Sequence, residues 1–319
     1  MPDPSADPLL VLHDVAKITA LSEAQITQAV EQAVADTYRR LVDDDPEVRA
    51  RVDLTHSTWR VFRVEGEAER EVTVGHADFA RQAAAAARAA VATRLLEAGR
   101  RHVLSEAASR RGQLIDAVVE RAGGRAWYVD AAGVPGVLPP EEQIPSEDIR
   151  LRQHLKVIVI EGRRRGSDAI AVVSRSHPLL VQRLMEQEVP ELQSGQVVIR
   201  AIAREPGRRT KVAVEAPAGD LDPQGACIGP RGVRQRAVTS ELGDEQVQIV
   251  AWAGDPARYV ANALIPASVL GVVLDQESHT AHVTVPDDQL SLAIGRAGEN
   301  ARLAARLSGW RIDIRGPQQ

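Results

Sequence analysis

The period with which apolar residues recur changes along the chain and predicts its elements. In the first third, helical spacing, alternation and an alanine-rich stretch predict a helix, two strands and a long helix, over residues 22–42, 48–54, 58–66 and 78–111. Ser22, followed three residues later by Gln25, is typical of a capping box at the start of the first helix. We therefore expect a mixed α+β domain over residues 1–108.

Residues 109–175 contain five short apolar stretches separated by glycine, proline and charged turns. Five strands in so short a segment indicate a small closed β-barrel of the oligonucleotide-binding type, and the stretch VPGVLPP resembles an S1 domain. Barrels of this type bind single strands by stacking bases on exposed aromatic side chains. Trp127 and Tyr128 are neighbours that point to opposite faces, so at most one can stack on a ligand, and a core role stays equally open.

Residues 176–254 and 255–319 repeat one order of elements: helix, strand, strand, short helix, glycine turn, helix and strand. Each copy opens with a helix that has proline at its first position, Pro178 or Pro256, where the missing N–H costs nothing. Around the turn the two copies align at a constant offset. A repeated unit predicts a repeated function.

The repeated turns read Gly229-Pro230-Arg231-Gly232 and Gly295-Arg296-Ala297-Gly298. In each copy we predict that a helix ends just before the turn and that another begins just after its second glycine. Glycine permits dihedrals closed to other residues and lets a second backbone approach closely. The following helix presents unpaired N–H groups and the positive end of its dipole, which together suit a phosphate group.

The order α-β-β-α-Gly-x-x-Gly-α-β resembles the KH module in its bacterial, type II topology. Such modules hold about four nucleotides of a single strand, with the Gly-x-x-Gly loop clamping the backbone. The isoleucine before each loop either lines the groove for the bases or belongs to the core. The candidate RNA contacts are Ile228, Gly229, Pro230, Arg231, Gly232, Arg234, Arg236, Ile294, Gly295, Arg296, Ala297, Gly298 and Arg302.

Composition adds the cellular setting. The 319 residues carry a net charge of −5. The acid excess lies in residues 1–107, which hold 13 Lys+Arg against 18 Asp+Glu, so the rest of the chain is balanced. The charge along a groove in that part can therefore still favour the binding of nucleic acid. Cys227 is the only cysteine, which excludes an internal disulfide and suits a reducing compartment. No apolar run approaches the roughly 20 residues of a membrane span, and no signal peptide is apparent. We expect a cytoplasmic protein without membrane contact.

Catalytic and metal chemistry is not predicted. Neither turn has the Gly-x-Gly-x-x-Gly spacing of a dinucleotide site, and no phosphate-binding loop ends in Gly-Lys. His279 and His282 lie three residues apart in a predicted strand and therefore point to opposite faces. We interpret Cys227 as a small buried hydrophobe. The sequence thus predicts a non-catalytic protein without cofactor or metal.

Three stretches, GQVVIRAIAREPGRRTKVAV, DPQGACIGPRGVRQRAV and LAIGRAGENARLAARLSGW, resemble the NusA family of bacterial transcription elongation factors. The resemblance is close over residues 170–314, moderate over the barrel, and limited to overall shape over the first 108 residues. It implies a non-catalytic, monomeric factor built from an α+β N-terminal domain, an S1 barrel and two tandem KH domains.

The resemblance also implies partners. The N-terminal domain would bind RNA polymerase at the flap of the β subunit, near the RNA exit channel. The S1 and KH domains would form one surface for nascent single-stranded RNA, with both glycine loops and their flanking arginines in contact. The factor would then modulate pausing and termination, and antitermination with other Nus factors and a ribosomal protein.

Three alternatives stay open. A ribosome-associated KH protein would be more basic and would lack the barrel. An RNA-processing enzyme with S1 and KH domains would need a catalytic core for which 108 residues leave no room. A scaffold that has lost RNA binding would not need intact glycines and flanking arginines. Co-purification with polymerase, with ribosomal subunits or with neither distinguishes these possibilities.

Overall fold

The computed structural model describes residues 21–53, 58–74, 77–243 and 245–317. Parts of the predicted N-terminal domain, residues 1–20, 54–57 and 75–76, lie outside the described residues, as do residues 244 and 318–319 of the predicted repeat. The chain forms two compact units. The first comprises the described residues up to Ser109 together with Gly162–Ile170, and the second comprises Arg110–Glu161 and the described residues from Ala171 onward.

Two helices and a three-stranded antiparallel sheet make up most of the first unit. Their bounds are α1 Glu23–Leu41, β1 Val48–Asp53, β2 Thr58–Glu65, β3 Ala68–Glu71 and α2 Ala77–Ser109. The predicted capping box is present, because the Gln25 N–H donates to Ser22 Oγ at 3.2 Å and the Ser22 N–H donates to Gln25 Oε1 at 3.0 Å. Tyr38 of α1 meets Phe79 of α2 edge-on in the core, with ring centroids 6.0 Å apart.

Five strands follow in the chain and close into a barrel in the order β4-β5-β6-β8-β7. Their bounds are β4 Leu114–Gly123, β5 Ala126–Ala131, β6 Pro135–Leu138, β7 His154–Arg165 and β8 Asp168–Ser174. Of the two adjacent aromatic residues on β5, Tyr128 is buried and has the guanidinium of Arg121 3.6 Å from its ring centroid. Trp127 is only half-buried, so it is the one of the two with an accessible ring.

The repeat has the predicted order of elements in both copies, except that the predicted first helix of the first copy is divided at Val189 into two helices. The first copy consists of α3 Pro178–Glu188, α4 Pro190–Gln193, β9 Val198–Glu205, β10 Arg209–Glu215, α5 Pro223–Ile228, α6 Val233–Glu241 and β11 Gln246–Ala251. The second consists of α7 Pro256–Ala263, β12 Gly271–Asp275, β13 Thr280–Thr284, α8 Leu290–Ile294, α9 Glu299–Ser308 and β14 Arg311–Arg315. In each sheet the middle strand pairs antiparallel with the first strand and parallel with the last.

Arg175 joins the barrel to the first copy of the repeat. Its guanidinium is buried and donates to Glu147 Oε2 at 2.7 Å, to the Lys156 carbonyl at 2.7 Å and to the Glu241 carbonyl at 2.8 Å. A buried guanidinium is tolerated only when its donors are satisfied, so these bonds determine where α6 lies against the barrel strands.

The two copies share one apolar core. The cluster contains residues from β9, β10 and β11 together with α7, β13 and α9, among them Ala203, Ala213, Val250, Val260, Leu264, Ala281 and Leu303. Lys211 of β10 is also buried there and donates to the Ile265 carbonyl, just after α7, at 2.7 Å. Apolar burial on this scale fixes the orientation of the second copy relative to the first.

Candidate nucleic-acid interface

The two glycine loops have nearly the same backbone conformation. Gly229 and Gly295, the first glycines, have φ/ψ of 73/171° and 75/171°. The second glycines, Gly232 and Gly298, are left-handed at 73/19° and 73/15°. The third loop position is also left-handed although it is not glycine, with φ of 53° at Arg231 and 51° at Ala297. Two copies of so unusual a turn indicate that its shape is required.

The first and second glycines are required for different reasons. A Cβ on Gly229 would lie 2.7 Å from Arg234 Cγ, and one on Gly295 would lie 2.9 Å from the backbone nitrogen of Asn300. A Cβ on Gly298 would meet nothing within 4 Å, so this glycine leaves an open surface above the following helix, whereas one on Gly232 would lie 3.0 Å from Arg236 Nη1, the movable end of a side chain. The first glycine is therefore needed for packing, while the second allows an external backbone to approach closely.

A side chain on the helix after each loop donates a hydrogen bond to the helix before it and so holds the loop in place. Arg234 donates to the Ala226 carbonyl at 2.6 Å and to Glu191 Oε2 at 2.8 Å. At the corresponding place in the second copy, Asn300 donates to the Ala293 carbonyl at 3.0 Å and is fully buried. Arg234 is predicted to contact RNA. Its guanidinium is half-buried, and these internal partners show that it also holds the loop in place.

In both copies a second side chain, an arginine, donates a hydrogen bond to the carbonyl of the third loop residue. Arg236 donates to the Arg231 carbonyl at 2.5 Å, and Arg302 donates to the Ala297 carbonyl at 3.1 Å. Arg302 also forms a bidentate ion pair with Glu205 of the first copy, at 2.6 and 3.0 Å. This hydrogen-bonded pair lowers the pKa of the Glu205 carboxyl despite the opposing effect of burial. Arg302 thus stabilises its own loop and the contact between the copies.

The outer surface of each loop carries an exposed arginine next to the start of a helix. The side chains of Arg231 and Arg296 are exposed and form no hydrogen bond or ion pair with any described residue. Helices α6 and α9 begin directly after the loops without a side-chain cap, and their first N–H groups, of Val233 and Glu299, donate to the carbonyls of Pro230 and Arg296 in the loops. Each loop therefore ends in a helix N-terminus with its positive dipole open to an anion.

The isoleucines before the loops differ in burial. Ile228 is half-buried and packs against the core of the first copy, whereas the Ile294 side chain is 39% exposed. Val233, just after the first loop, is 57% exposed, and Leu292 of α8 is exposed as well. Apolar side chains thus lie at the surface beside both loops. The Ile294 side chain is therefore accessible beside its loop, whereas Ile228 contributes to the core.

A short series of contacts connects the second loop to the first copy. Glu299 directly follows the loop at Gly298, and its carboxylate lies 3.1 Å from Arg208 Nε and 3.8 Å from Arg209 Nε. Arg209 in turn donates to Gln246 Oε1, at the start of β11, at 2.8 Å. The second loop therefore lies beside the sheet of the first copy.

Other candidate chemistry takes structural roles. His279 stacks on Trp310 with ring centroids 4.1 Å apart, and His282 Nδ1 lies 3.2 Å from Asp313. Cys227 is buried, and this burial raises the pKa of its thiol to about 12. Within the described residues no three His, Cys, Asp or Glu side chains are grouped so as to hold a metal ion. None of the described helices has the combined length and apolar character that crossing a membrane requires.

Comparison with known proteins gives a consistent result. Residues 175–252 match the family model of the NusA-like first KH domain, and residues 256–319 match that of the NusA-like second KH domain. Transcription termination/antitermination protein NusA of Bacillus subtilis is 36% identical over 337 residues, covering 98% of this chain and 91% of the relative. The proteins of the same name from Halalkalibacterium halodurans and Mycobacterium tuberculosis are 36% and 38% identical, covering 97% of this chain and 87% and 92% of their own lengths.

Proposed function

We propose, on the premise that this chain belongs to the NusA family of transcription termination/antitermination proteins, that it is an RNA-binding transcription elongation factor. In this role it acts on pausing, termination and antitermination by contacting RNA polymerase and the nascent transcript. The observation that carries the RNA-binding part is the pair of matching Gly-x-x-Gly loops, each opening onto an uncapped helix N-terminus. Relatives that share the whole chain disfavour the ribosomal and RNA-processing alternatives.

The two loops hold the phosphates of single-stranded RNA. Arg231 and Arg296 supply the exposed cations, and the open space above Gly298, with that above Gly232 bounded by the Arg236 side chain, lets the RNA backbone approach the N-terminus of the following helix. Arg234, Arg236 and Arg302 position the loops from behind. Ile294, with Ile228 in part, supports the bases. Because the copies are tethered and their orientation is fixed, two weak contacts act together, which can raise affinity by about 10²–10⁴ over either alone.

The rest of the chain supplies the polymerase contact and a further RNA surface. We assign residues 1–108 to binding RNA polymerase at the β flap, 109–175 to an S1 barrel of the OB type, and 176–254 and 255–319 to type II KH domains. Trp127 is the aromatic side chain of the barrel that is available for stacking on a base. The protein acts as a cytoplasmic, non-catalytic monomer without a cofactor, and joins other Nus factors and a ribosomal protein in antitermination.

The test uses the second glycines. Gly232→Asp and Gly298→Asp place a negative charge where phosphate is proposed to lie, while aspartate tolerates the left-handed backbone better than most residues. Each single variant should weaken binding of a short single-stranded RNA at least about 10-fold, and the double variant should abolish it. Circular dichroism should stay that of the parent protein.

Gly66→Asp is the matched control, since Gly66 also has positive φ, at 63°, and an open environment, but lies in the turn between β2 and β3 of the first unit. It should bind RNA as the parent does. Undiminished RNA affinity in the folded double variant would overturn the assignment of the loops. Recovery of ribosomal subunits instead of polymerase with the full chain would overturn the transcriptional role.

A further inference from the structure

The last strand of each copy has a free edge. In the first copy β11 pairs only with β10, and Gln246 N and Trp252 N donate toward β10 and its flanking residues. Because main-chain groups alternate along a strand, the residues between them, Val247, Ile249 and Ala251, direct their carbonyls to the opposite, unpaired side. An unpaired strand edge offers a row of donors and acceptors to any partner that lies alongside it.

In the first copy these carbonyls are already occupied by side-chain amides. Gln235 Nε2 donates to the Val247 carbonyl, and Gln224 Nε2 donates to the Ile249 carbonyl at 2.9 Å. Asn262 Nδ2 donates to the Ala251 carbonyl at 2.9 Å. The amides come from α6, α5 and α7, so three separate elements close one edge.

The second copy lacks the counterparts of Gln224 and Gln235. Its edge strand is β14, where the Arg311 N–H and the Arg315 carbonyl take part in bonds to residues flanking β13, so that Ile312 and Ile314 direct their main chain outward. The offset between the loops places Leu290 where the first copy has Gln224, and Ala301 where it has Gln235. Neither side chain can donate a hydrogen bond. No hydrogen bond from a described residue reaches the carbonyl of Ile312 or Ile314.

Unpaired bases carry donors and acceptors on their Watson–Crick edges, and these differ among the four bases. A free strand edge beside the phosphate-binding loop can read those differences, whereas carbonyls that already accept from an amide have one fewer site to offer. Ile312 and Ile314 are both half-buried, which gives the β14 edge the apolar surroundings in which such bonds discriminate.

We propose that the two copies have different roles in RNA binding, an inference that rests on the proposed RNA-binding function. The second copy discriminates among bases at the free edge of β14. The first copy, whose edge is closed by Gln224, Gln235 and Asn262, holds the sugar–phosphate backbone with little preference for the base. The residues that set this difference are Gln224 and Gln235 in one copy and Leu290 and Ala301 in the other.

The test exchanges these residues between the copies in the full chain. The probes are single-stranded RNAs of about ten nucleotides, enough for two copies at about four nucleotides each, varied one position at a time. The readout is the ratio of Kd between the weakest and the tightest base at the most selective position. Leu290→Gln/Ala301→Gln should lower this ratio about 3- to 10-fold, the effect of losing one or two base hydrogen bonds. The salt dependence of binding, which reports phosphate contacts, should stay unchanged.

The reciprocal variant, Gln224→Leu/Gln235→Ala, should add a second selective position. Ser291→Gln, an exposed site on α8, is the control and should leave the ratio as it is. Should the double variant of the second copy lose its cooperative melting transition, Ala301→Gln alone replaces it. An unchanged ratio in the folded second-copy variant, or loss of selectivity in the first-copy variant, would overturn the division of work. Absence of RNA binding by the parent protein would instead refute the proposed function itself.

Discussion

Lys211 makes the stability of the tandem repeat depend on pH. Its ammonium group is buried at the contact between the copies, where Nζ donates to the Ile265 carbonyl at 2.7 Å and to Gln248 Oε1 at 2.9 Å. No carboxylate accepts from it among the described residues. Burial, with a smaller contribution from the nearby charge of Arg209, lowers the pKa of Lys211 from 10.5 to about 7. Both hydrogen bonds survive deprotonation, because a neutral amine still donates twice.

The sign and the size follow from linkage. Between pH 7 and 10.5 the unfolded chain holds a proton on this lysine that the folded protein has released, so the free energy of unfolding increases with pH over that window. The slope is half-maximal at pH 7, where half of the folded molecules have released the proton, and approaches about 1.4 kcal/mol per pH unit above it, so the increase between pH 7 and pH 9 amounts to about 2 kcal/mol. Below pH 7 both states are protonated, and the cost of the buried charge is constant.

Hydrogen exchange of the β10 and β13 amides, corrected for intrinsic exchange rates, measures this free energy at pH 7, 8 and 9. The parent protein should show the increase, and Lys211→Met should not, because it has no proton to release. Lys156→Met, at the other described lysine, should keep the pH dependence of the parent. If Lys211→Met and the parent respond equally to pH, the buried ammonium is not the cause.

Two further predictions concern stability. Gly295→Ala should destabilise the protein by about 2–5 kcal/mol, because the new methyl group meets the Asn300 backbone and the backbone conformation is one that only glycine adopts readily. Gly298→Ala should cost only about 1–2 kcal/mol, because its methyl group meets nothing. Equal costs of the two variants in urea unfolding would contradict the packing role of the first glycine. Glu245→Gln should cost about 3–5 kcal/mol, because it leaves the buried guanidinium of Arg204, now 2.9 Å from Glu245 Oε2, without a counter-charge. Replacing both members by Met should recover part of that loss, and a double variant as unstable as Glu245→Gln would argue against a charge effect.

The repeat could be predicted from sequence because its local signals agree with each other. The proline at each helix start, the alternating strands and the doubled glycine loop all favour one order of elements, and the structure has that order. Strand β3, with the sequence AERE, was not predicted. All four of its side chains are exposed, so burial leaves no apolar alternation in the sequence.

The roles of the arginines could not be predicted from spacing. Arg231, Arg234 and Arg302 all lie in or near a glycine loop, yet one is free, one is held by Glu191, and one is paired with Glu205. Glu205 lies 97 positions from Arg302 in the chain. Asn300 was missed in the same way, although its alignment with Arg234 in the repeat was the available signal.

The apolar cluster shared by the two copies has a consequence for how such proteins can be recombined. Ala203, Ala213 and Val250 are covered by residues of the second copy, and Glu205 relies on Arg302 for its counter-charge. A chimera that takes one KH domain from a relative would have a mismatched interface between the two domains, with exposed apolar surface and an unpaired Glu205 carboxylate. The smallest piece that can be transplanted intact is therefore the pair.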